Sequence, residues 1–334
     1  MKRKNTINLS LAPPINLKTA YLEITTRCNL NCLHCYVDKT HPREIDLETM
    51  FDIFDKLVEM RVKNVVLFGG EPTLHRNFWD LLQYAIDRFD LVTVETNGTT
   101  PTRFNDFDCQ VAISFESYIP EENDEIRGQG VFEKAIRKLQ SINNPKLLRY
   151  TIYNDTDVIK MAMLAEKVGA NSTGVPLKPV GKGIELRNRM PSRKKLIQSC
   201  QEIEMFDAQT KHKHIINAPY VYICRQDLFD RFRDVFIKRG RICEAGFNRI
   251  FISVDGIVTP CMFLQNEKIG NIKKDSPQEL IDNLKRWLIK VKMLPMEGIC
   301  SNCVYRNLCG GGCLVNSLEK DEIKTSFCAI NGGG

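Results

Sequence analysis

The sequence predicts an α/β fold with a parallel sheet, followed by a small, cysteine-rich α+β domain. Short β-branched apolar runs alternate with helical patterns from residue 19 to residue 208, which is typical of parallel strands joined by helices. About six such strand–helix units are present, fewer than the eight of a closed barrel. Seven of the 13 cysteines follow residue 240, where this alternation has ended.

Each element follows from a local pattern. The helix over 47–60 begins after Asp46, a good N-cap residue, and its apolar residues recur on one face. In the tail, Ser276, Pro277 and Glu279 predict the capped start of another helix. The predicted strands are 19–25, 63–68, 91–96, 110–115, 147–153 and 171–177. The predicted helices are 47–60, 77–88, 131–143, 155–168 and 193–208, with a short or absent one at 101–107.

Composition divides the chain into an arm (1–18), the strand–helix units (19–190), a mostly helical bridge (191–240) and the cysteine-rich domain (241–330). An apolar content of 43% and a charged content of 26% are those of an ordinary globular protein. The net charge of +6 permits an acidic partner without requiring nucleic acid, and we expect neither nucleic acid nor membrane as a partner.

The cysteines indicate metal in a reducing compartment. Their odd number and their tight C-x2-C and C-x3-C spacing argue against a secreted disulfide framework. The basic N-terminus meets Pro13 and Pro14 before any apolar run of signal-peptide length. No uninterrupted apolar run approaches the length of a membrane span. We therefore expect a cytoplasmic protein.

Three cysteines, Cys28, Cys32 and Cys35, come directly after the first predicted strand with the spacing C-x3-C-x2-C. Three ligands on a site that usually takes four leave one coordination position open for chemistry. The spacing favours a catalytic iron–sulfur cluster over a structural zinc knuckle, for which His34 or His41 would have to supply a further ligand.

Polar and glycine-containing turns follow the later predicted strands. By themselves they resemble ordinary strand-to-helix and Asn-Gly turns, although adjacent glycines also let a backbone approach a ligand closely. Catalytic groups are expected at this end of strand–helix barrels. The candidate residues are Gly69, Gly70, Glu71, Pro72, Thr96, Asn97, Ser114 and Asn154, and residues 176–183 follow the sixth strand at the same mouth. The run from Lys211 to His214 predicts a surface turn.

The tail cysteines form one long pattern. They are Cys243, Cys261, Cys300, Cys303, Cys309, Cys313 and Cys328. Taken alone, the pattern fits two zinc-ribbon sites or iron–sulfur clusters. Three glycines, 310–312, lie between two of the thiols, where a backbone that wraps a cluster needs little side-chain bulk.

Together these motifs resemble the radical S-adenosylmethionine (SAM) enzymes that carry a SPASM domain. The first cysteines match the family's C-x3-C-x-aromatic-C, with His34 in the aromatic place, and residues 69–72 match its GGEP motif. Residues 114–117 resemble S-x-D-G with Glu116 for Asp, and residues 123–128 resemble H-D-x-x-R-G. The resemblance spans residues 19–328 and implies an open, partial (β/α)6 TIM-like barrel.

The resemblance also implies the cofactors. Cys28, Cys32 and Cys35 would hold a 4Fe-4S cluster whose open iron binds SAM, and His34 would belong to the cofactor site. An electron from flavodoxin or ferredoxin would then cleave SAM to a 5′-deoxyadenosyl radical. The backbone of 69–72 would hold the SAM amino group. The other residues expected to line the SAM site are Thr96, Asn97, Ser114 and Asn154.

The SPASM resemblance implies up to two auxiliary clusters. The first would be held by Cys243, Cys261 and Cys313, and the second by Cys300, Cys303, Cys309 and Cys328. Fully ligated relatives have another cysteine shortly before the first position, whereas residues 236–239 here contain none. We therefore expect an open iron, with Cys224 as the nearest spare thiol. Cys109 and Cys200 are predicted to be buried small hydrophobes.

Only the family resemblance predicts a substrate. The first hypothesis is the modification of a peptide or protein side chain, although residues 1–18 are too few for the leader-binding domain of many such enzymes. A small molecule such as a tetrapyrrole on the route to haem is the alternative. A non-catalytic iron–sulfur or zinc protein is the alternative of another class. Met262 stands where sulfatase-maturing relatives have an aspartate base, which argues against that reaction.

Overall fold

The computed structural model describes residues 15–218, 242–303, 305–319 and 322–323. The strands are β1 (Thr19–Thr25), β2 (Asn64–Gly69), β3 (Leu91–Thr96), β4 (Gln110–Phe115), β5 (Lys146–Ile152), β6 (Asn171–Pro176), β7 (His214–Ile216), β8 (Arg249–Ile252), β9 (Ile257–Thr259), β10 (Gly270–Asn271), β11 (Leu318–Glu319) and β12 (Glu322–Ile323). The α-helices are α1 (Leu47–Glu59), α2 (Phe78–Ile86), α3 (Pro120–Arg127), α4 (Val131–Ser141), α5 (Val158–Lys167), α6 (Arg193–Asp207), α7 (Pro277–Met293), α8 (Arg306–Cys309) and α9 (Leu314–Ser317). At the position of the short predicted helix the chain forms a 3-10 turn, Phe104–Asp106.

One twisted sheet contains ten of these strands, in the order β10-β9-β8-β1-β2-β3-β4-β5-β6-β7. All neighbours from β8 to β7 run parallel, whereas β9 and β10 are antiparallel. The six predicted strands and the α/β class are confirmed. Two unpredicted strands, β7 and β8, extend the parallel part at its two ends. Within the described residues β7 and β10 remain edges, so the barrel is open.

Successive side chains along a strand point alternately to the helix-facing core and to the barrel interior, because a pleated strand has a period of two residues. Along β1, Ala20, Leu22 and Ile24 pack in the hydrophobic core, whereas Tyr21 points into the interior. The same alternation places side chains of β1, β3, β4, β5, β6 and β8 inside the barrel. These interior residues include Tyr21, Glu95, Ser114, Arg149, Val175 and Phe251.

The predicted helix starts are confirmed in detail. The Asp46 carboxylate accepts the Thr49 N–H at 2.9 Å, which satisfies a donor that the first turn leaves unpaired. Ser276 and Glu279 form a reciprocal capping box at the start of α7. The helix α3 was not predicted, because its sequence is polar and shows no apolar period. It buries Asn123, Ile126 and Arg127.

The cysteine-rich region joins the same sheet through β8. The N–H of Val254, directly after β8, donates to the buried carboxylate of Glu23 on β1 at 3.2 Å. On the other side, the Lys56 ammonium of α1 donates to the carbonyl oxygens of Ile272 and Asp275 at 2.6 and 3.0 Å. These contacts fix the tail against the barrel, so its cysteines lie at the mouth of the strand–helix units.

The prediction of a surface turn is confirmed for residues 211–213, which form an exposed to half-exposed bend, but is wrong for His214. His214 is buried at the start of β7, and its Nε2 lies 3.0 Å from a carboxylate oxygen of Glu166. The other Glu166 oxygen lies 3.0 Å from His212 Nδ1. Burial by itself raises the pKa of Glu166, but these hydrogen bonds outweigh it and lower the pKa to about 2. The ionised Glu166 carboxylate therefore stabilises the folded protein fully above about pH 4.5, its ordinary pKa. This contribution to the free energy of unfolding is lost as the pH falls toward 2.

Some predictions fall outside the described residues. They concern the arm residues 1–14, residues 219–240 of the mostly helical bridge, Cys224 and Cys328. In the described parts of the chain, no helix combines the length and the apolarity needed to cross a membrane.

We predict that Glu166→Gln loosens β7. Loss of hydrogen bonds to a charged group costs roughly 1.5–3 kcal/mol, so amide hydrogen exchange in residues 214–216 should accelerate roughly 10- to 100-fold at pH 7. Glu133→Gln, which breaks the exposed pair with Arg137, is the control and should leave exchange in β7 unchanged. Equal exchange in wild type and Glu166→Gln would contradict this account of the edge strand.

Candidate active site

A loop between β1 and α1 carries the first cysteine triad. Cys32 is buried, Cys28 and Cys35 are half-buried, and all three are free thiols. Burial raises the pKa of Cys28 and of Cys32, and the neighbouring thiolates of the triad raise it further. The three sulfurs therefore share one electrostatic neighbourhood in which a cationic iron centre would stabilise the thiolate form.

Among the described residues, no three His, Cys, Asp or Glu side chains converge closely enough to hold a single metal ion.

The glycine turn after β2 packs directly against this loop. A Cβ atom on Gly69 would lie 2.1 Å from the Thr25 carbonyl oxygen, and one on Gly70 would lie 2.2 Å from that of Arg27. The N–H of Gly70 donates to Thr25 O at 2.8 Å, and the N–H of Glu71 donates to Arg27 O at 2.7 Å. Because a side chain would occupy the place of these carbonyls, the two glycines are required to seat the cysteine loop.

Glu71 holds the end of β3 to this turn. Its carboxylate is fully buried and accepts the Thr96 hydroxyl at 2.8 Å and the Asn97 N–H at 2.8 Å. It also accepts the Thr73 hydroxyl at 2.6 Å. Burial raises the pKa of Glu71, while these hydrogen bonds act in the opposite direction. Two predicted site residues, Thr96 and Asn97, are thus joined around the buried carboxyl group of a third, Glu71.

Asn97 extends the network back to the cysteine loop. Its side-chain amide donates to Asn29 Oδ1 at 2.9 Å, and Asn29 donates to the Thr99 hydroxyl at 2.8 Å. Asn29 directly follows Cys28, so the end of β3 positions the first cysteine. The side chains of Thr96 and Asn97 are occupied by these contacts, and their contact with SAM stays a prediction.

Glu116, which follows β4, is the centre of a second buried network. It pairs with Arg127 at 2.6 Å and lies 3.5 Å from His34 Nε2, and it accepts the Tyr153 hydroxyl at 2.9 Å. Burial by itself would raise the pKa of Glu116, but the charges of His34 and Arg127 outweigh it and lower the pKa. The unpredicted partner Arg127 thus explains how a carboxylate is tolerated here.

Helix α3 braces the cysteine loop from this side. The N–H of Leu33 donates to Ile126 O at 3.0 Å, and the Cys32 sulfur lies 4.0 Å from the Arg127 carbonyl oxygen. Asn123 is fully buried, and its side-chain oxygen accepts the Glu116 N–H at 2.9 Å. The stretch 123–128 therefore supports the triad structurally.

Two adjoining cavities occupy the barrel interior. The first, of about 690 Å³ including solvent at its mouth, is lined by His34, Ser114 and Glu116. The second, of about 760 Å³ on the same measure, is lined by Cys243, Cys261 and other residues of the tail. The two share a wall formed by Arg149, Val175, Lys178, Met262 and Phe263. The first cavity is bordered by His34 and Tyr36, the neighbours of Cys35, and the second is bordered by three of the tail cysteines.

His34 provides an observation that fits a bound cofactor. Its Nδ1 atom is buried and has no hydrogen-bond partner among the described residues, and the side chain lines the first cavity. Burial lowers the pKa of His34, while the nearby Glu116 carboxylate acts in the opposite direction. A polar ligand in the first cavity would satisfy this nitrogen.

A second triad forms in the tail from Cys243, Cys261 and Cys313. All three line the second cavity, and the charges of the other two thiolates act on Cys261. Burial raises the pKa of Cys261 to about 11, although Arg249 lowers it. The three consecutive glycines before Cys313 have φ of 59°, 83° and 81°, a backbone that other residues adopt at a cost. These thiols therefore fit the predicted set of first auxiliary ligands.

The remaining sequence predictions have mixed outcomes. Cys300, Cys303 and Cys309 lie within one short stretch, but their expected partner Cys328 is outside the described residues, so the second set stays a prediction. Cys109 and Cys200 are buried in the apolar core, as predicted. Asn154 is exposed and accepts the Ser192 N–H at 3.0 Å, so its role at the cofactor also stays a prediction.

Met262 forms the interior wall between the two triads. It is buried against Phe68 and Phe251, and its sulfur accepts the Tyr36 hydroxyl at 3.4 Å. Tyr36 directly follows Cys35, and Met262 directly follows Cys261. Sequence reasoning did not assign Tyr36 or Arg149 to the site, because each becomes a neighbour of the cavity through the barrel geometry alone. Lys178 lies within residues 176–183, which the sequence placed at this mouth.

The fold and the two triads define a radical SAM enzyme, and comparison with protein families agrees. The radical SAM superfamily profile matches residues 22–158, and that of the SPASM iron–sulfur cluster-binding domain matches residues 243–304. The chain therefore belongs to the radical SAM superfamily and carries a SPASM domain. Its cofactors are SAM and 4Fe-4S clusters. The predicted family, enzyme class and cofactors are confirmed.

Particular relatives refine this class. Mycofactocin maturase MftC of Mycolicibacterium smegmatis is 27% identical over 310 residues, which cover 87% of this chain and 76% of that protein. An AdoMet-dependent heme synthase of Oleidesulfovibrio alaskensis is 26% identical over 318 residues, which cover 86% and 80%. Streptococcus suis SuiB, solved with its precursor peptide SuiA, has a TM-score of 0.76 at 15% identity, covering 96% of this chain and 76% of SuiB. SuiB confirms the fold.

We predict that Gly70→Ala displaces the cysteine loop, because the new methyl group would overlap the Arg27 carbonyl. The variant should lose about four irons per chain, those of one cluster, and its 5′-deoxyadenosine production should fall at least about tenfold. Both are measured after anaerobic reconstitution. Gly169→Ala is the control, because Gly169 has open space around it; its positive φ of 71° adds a backbone strain that Gly70 does not have, so the control still carries a general cost of introducing alanine. A Gly70→Ala protein with wild-type iron content and rate would contradict the packing argument.

Proposed function

We propose that this radical SAM enzyme modifies a side chain of a peptide or protein. The observation that carries the proposal is the pair of adjoining interior cavities, one beside His34 and Tyr36 of the first cysteine loop and the other beside the tail cysteines. Its walls are mixed, with aromatic and aliphatic side chains beside a few charged groups, which suits a stretch of polypeptide. The similarity to a protein named as a maturase supports the proposal, as does a fold shared with a protein solved with a precursor peptide.

The residues of the first triad and its neighbours have distinct roles in this proposal. Cys28, Cys32 and Cys35 would hold the cluster, which together with SAM supplies a radical that takes a hydrogen atom from the substrate. The backbone of 69–72 would bind the SAM amino group. His34 and Ser114 would contact SAM from the first cavity. Glu71 and Glu116 are positioning residues, since each fixes the chain around the triad through buried hydrogen bonds.

The wall of Met262 and Phe263 separates the reacting centre from water. Radical chemistry needs a dry, shaped site that prevents side reactions. Met262 cannot accept a proton, and it occupies the position next to Cys261 where a base would act in sulfatase maturation. We therefore propose a modification that needs no carboxylate base at this position.

A tetrapyrrole substrate is the second candidate. Three cations, Arg149, Lys178 and Arg249, line the cavities and suit the carboxylates of such a molecule. Arg149 is paired with Glu95, and Arg249 is paired with Glu244 at 3.2 Å, so much of this charge is already balanced. The similarity to a heme synthase is the specific observation that favours this candidate.

We also propose a reduced flavodoxin or ferredoxin as the electron donor, in a reducing cytoplasm. The net charge of +6 suits an acidic protein partner. The partly exposed Cys28 and Cys35, beside the exposed Arg27, give such a donor a short route to the first triad.

Deuterium transfer tests the proposed substrate class. The reconstituted enzyme is incubated with SAM, dithionite and each short peptide encoded next to its gene, synthesised with deuterium on carbon. A parallel reaction contains deuterated tetrapyrrole carboxylates. Because hydrogen abstraction moves a substrate atom to the cofactor, we expect 5′-deoxyadenosine to gain deuterium from a peptide. If 5′-deoxyadenosine gained deuterium from the tetrapyrrole and from none of the peptides, the peptide proposal would be wrong and the tetrapyrrole would be the substrate class.

A further inference from the structure

The loop after β6 contacts both cysteine triads. At one end, the N–H of Lys182 donates to the Cys35 carbonyl oxygen at 3.0 Å, and a Cβ atom on Gly181 would lie 2.5 Å from Tyr36 Cα. At the other end, the Lys178 ammonium lies 3.3 Å from the Cys313 sulfur. Residues 178–182 thus link the catalytic triad to the second triad. Lys178 is the residue of this loop whose side chain contacts the second triad.

The tail triad has a different electrostatic environment from the catalytic triad. Beside Cys32, the charge of Arg127 is balanced by the buried carboxylate of Glu116. Beside Cys261, Arg249 is paired with Glu244 at 3.2 Å. The Lys178 ammonium, in contrast, donates directly to a sulfur of the triad, that of Cys313, at 3.3 Å.

We propose that Lys178 raises the reduction potential of the auxiliary cluster held by Cys243, Cys261 and Cys313. The inference rests on the proposed ligand role of these cysteines. Hydrogen bonds to the sulfur ligands and the net charge of the surroundings are main determinants of iron–sulfur potentials. A cation that donates to a ligand sulfur stabilises the reduced cluster, which carries one more negative charge. Lys178 is a positioning and tuning residue that acts through Cys313.

The test measures the potential directly in the full-length protein. Cys28, Cys32 and Cys35 are all replaced by Ala to remove the catalytic cluster, and the auxiliary clusters are titrated with a reductant under EPR detection. The signal that disappears in the additional variant Cys261→Ala identifies the relevant cluster. In Lys178→Met, we expect the reduced-to-oxidised ratio of this cluster at a fixed potential to fall at least about tenfold, or about 59 mV for one electron.

Matched variants separate charge from structure. Lys178→Arg keeps a cationic donor and should keep the ratio within about threefold of wild type. Lys182→Met removes a cation from the same loop whose ammonium bonds to Asn31 Oδ1 at 2.6 Å, and it should leave the ratio unchanged. If Lys178→Met loses the cluster, Lys178→Gln, which keeps an N–H donor without the charge, must give an intermediate ratio.

Two results would overturn the proposal, and they are distinguishable. If Cys261→Ala had the same iron content as wild type, both the assignment of these cysteines as ligands and the inference about Lys178 would be wrong. If Lys178→Met or Lys178→Gln kept the cluster and its wild-type reduction potential, only the inference about Lys178 would be wrong, and the ligand assignment would stand. A higher KM for substrate with an unchanged potential would likewise overturn the inference and would place Lys178 in substrate binding.

Discussion

The contact between the glycine turn after β2 and the backbone that leads into the cysteine loop is the constraint on which the site depends. Here two chain segments approach so closely that no side chain fits at Gly69 or Gly70, and the N–H groups of 70 and 71 donate across the junction. The buried Glu71 then ties the end of β3 to the same junction. The position of Cys28 therefore follows from the ends of three strands.

The parallel sheet places this junction at the edge of the interior cavities. Because strand residues alternate between core and interior, six of the strands, β1, β3, β4, β5, β6 and β8, contribute side chains to the cavities without disturbing the helix-facing core. The tail adds β8 to the free edge of β1, which places its own cysteine triad opposite the catalytic one. The intervening wall, formed by Met262 and Phe263, belongs to the tail and faces the barrel interior.

The cysteine spacing, the glycine turn and the capped helices could be predicted because each depends on residues close in sequence. Asp46 and Ser276 cap helices that begin at the next residue. The helix α3 could not be predicted, because its polar residues Asn123 and Arg127 are buried by contacts with Glu116 and the cysteine loop. His214 was assigned to a surface turn because its carboxylate partner, Glu166, is 48 residues away. The approach of Lys178 to Cys313 spans 135 residues and depends on the whole fold.

The central claim is that an open triad of thiols holds a cluster that cleaves SAM. The most direct measurement is made on protein reconstituted without oxygen: iron and sulfide are counted, SAM and dithionite are added, and 5′-deoxyadenosine is assayed. The account predicts about twelve irons per chain, as three four-iron clusters require, with deoxyadenosine formed by wild type and absent in Cys32→Ala. Zinc in place of iron without cleavage, or undiminished cleavage in Cys32→Ala, would contradict it.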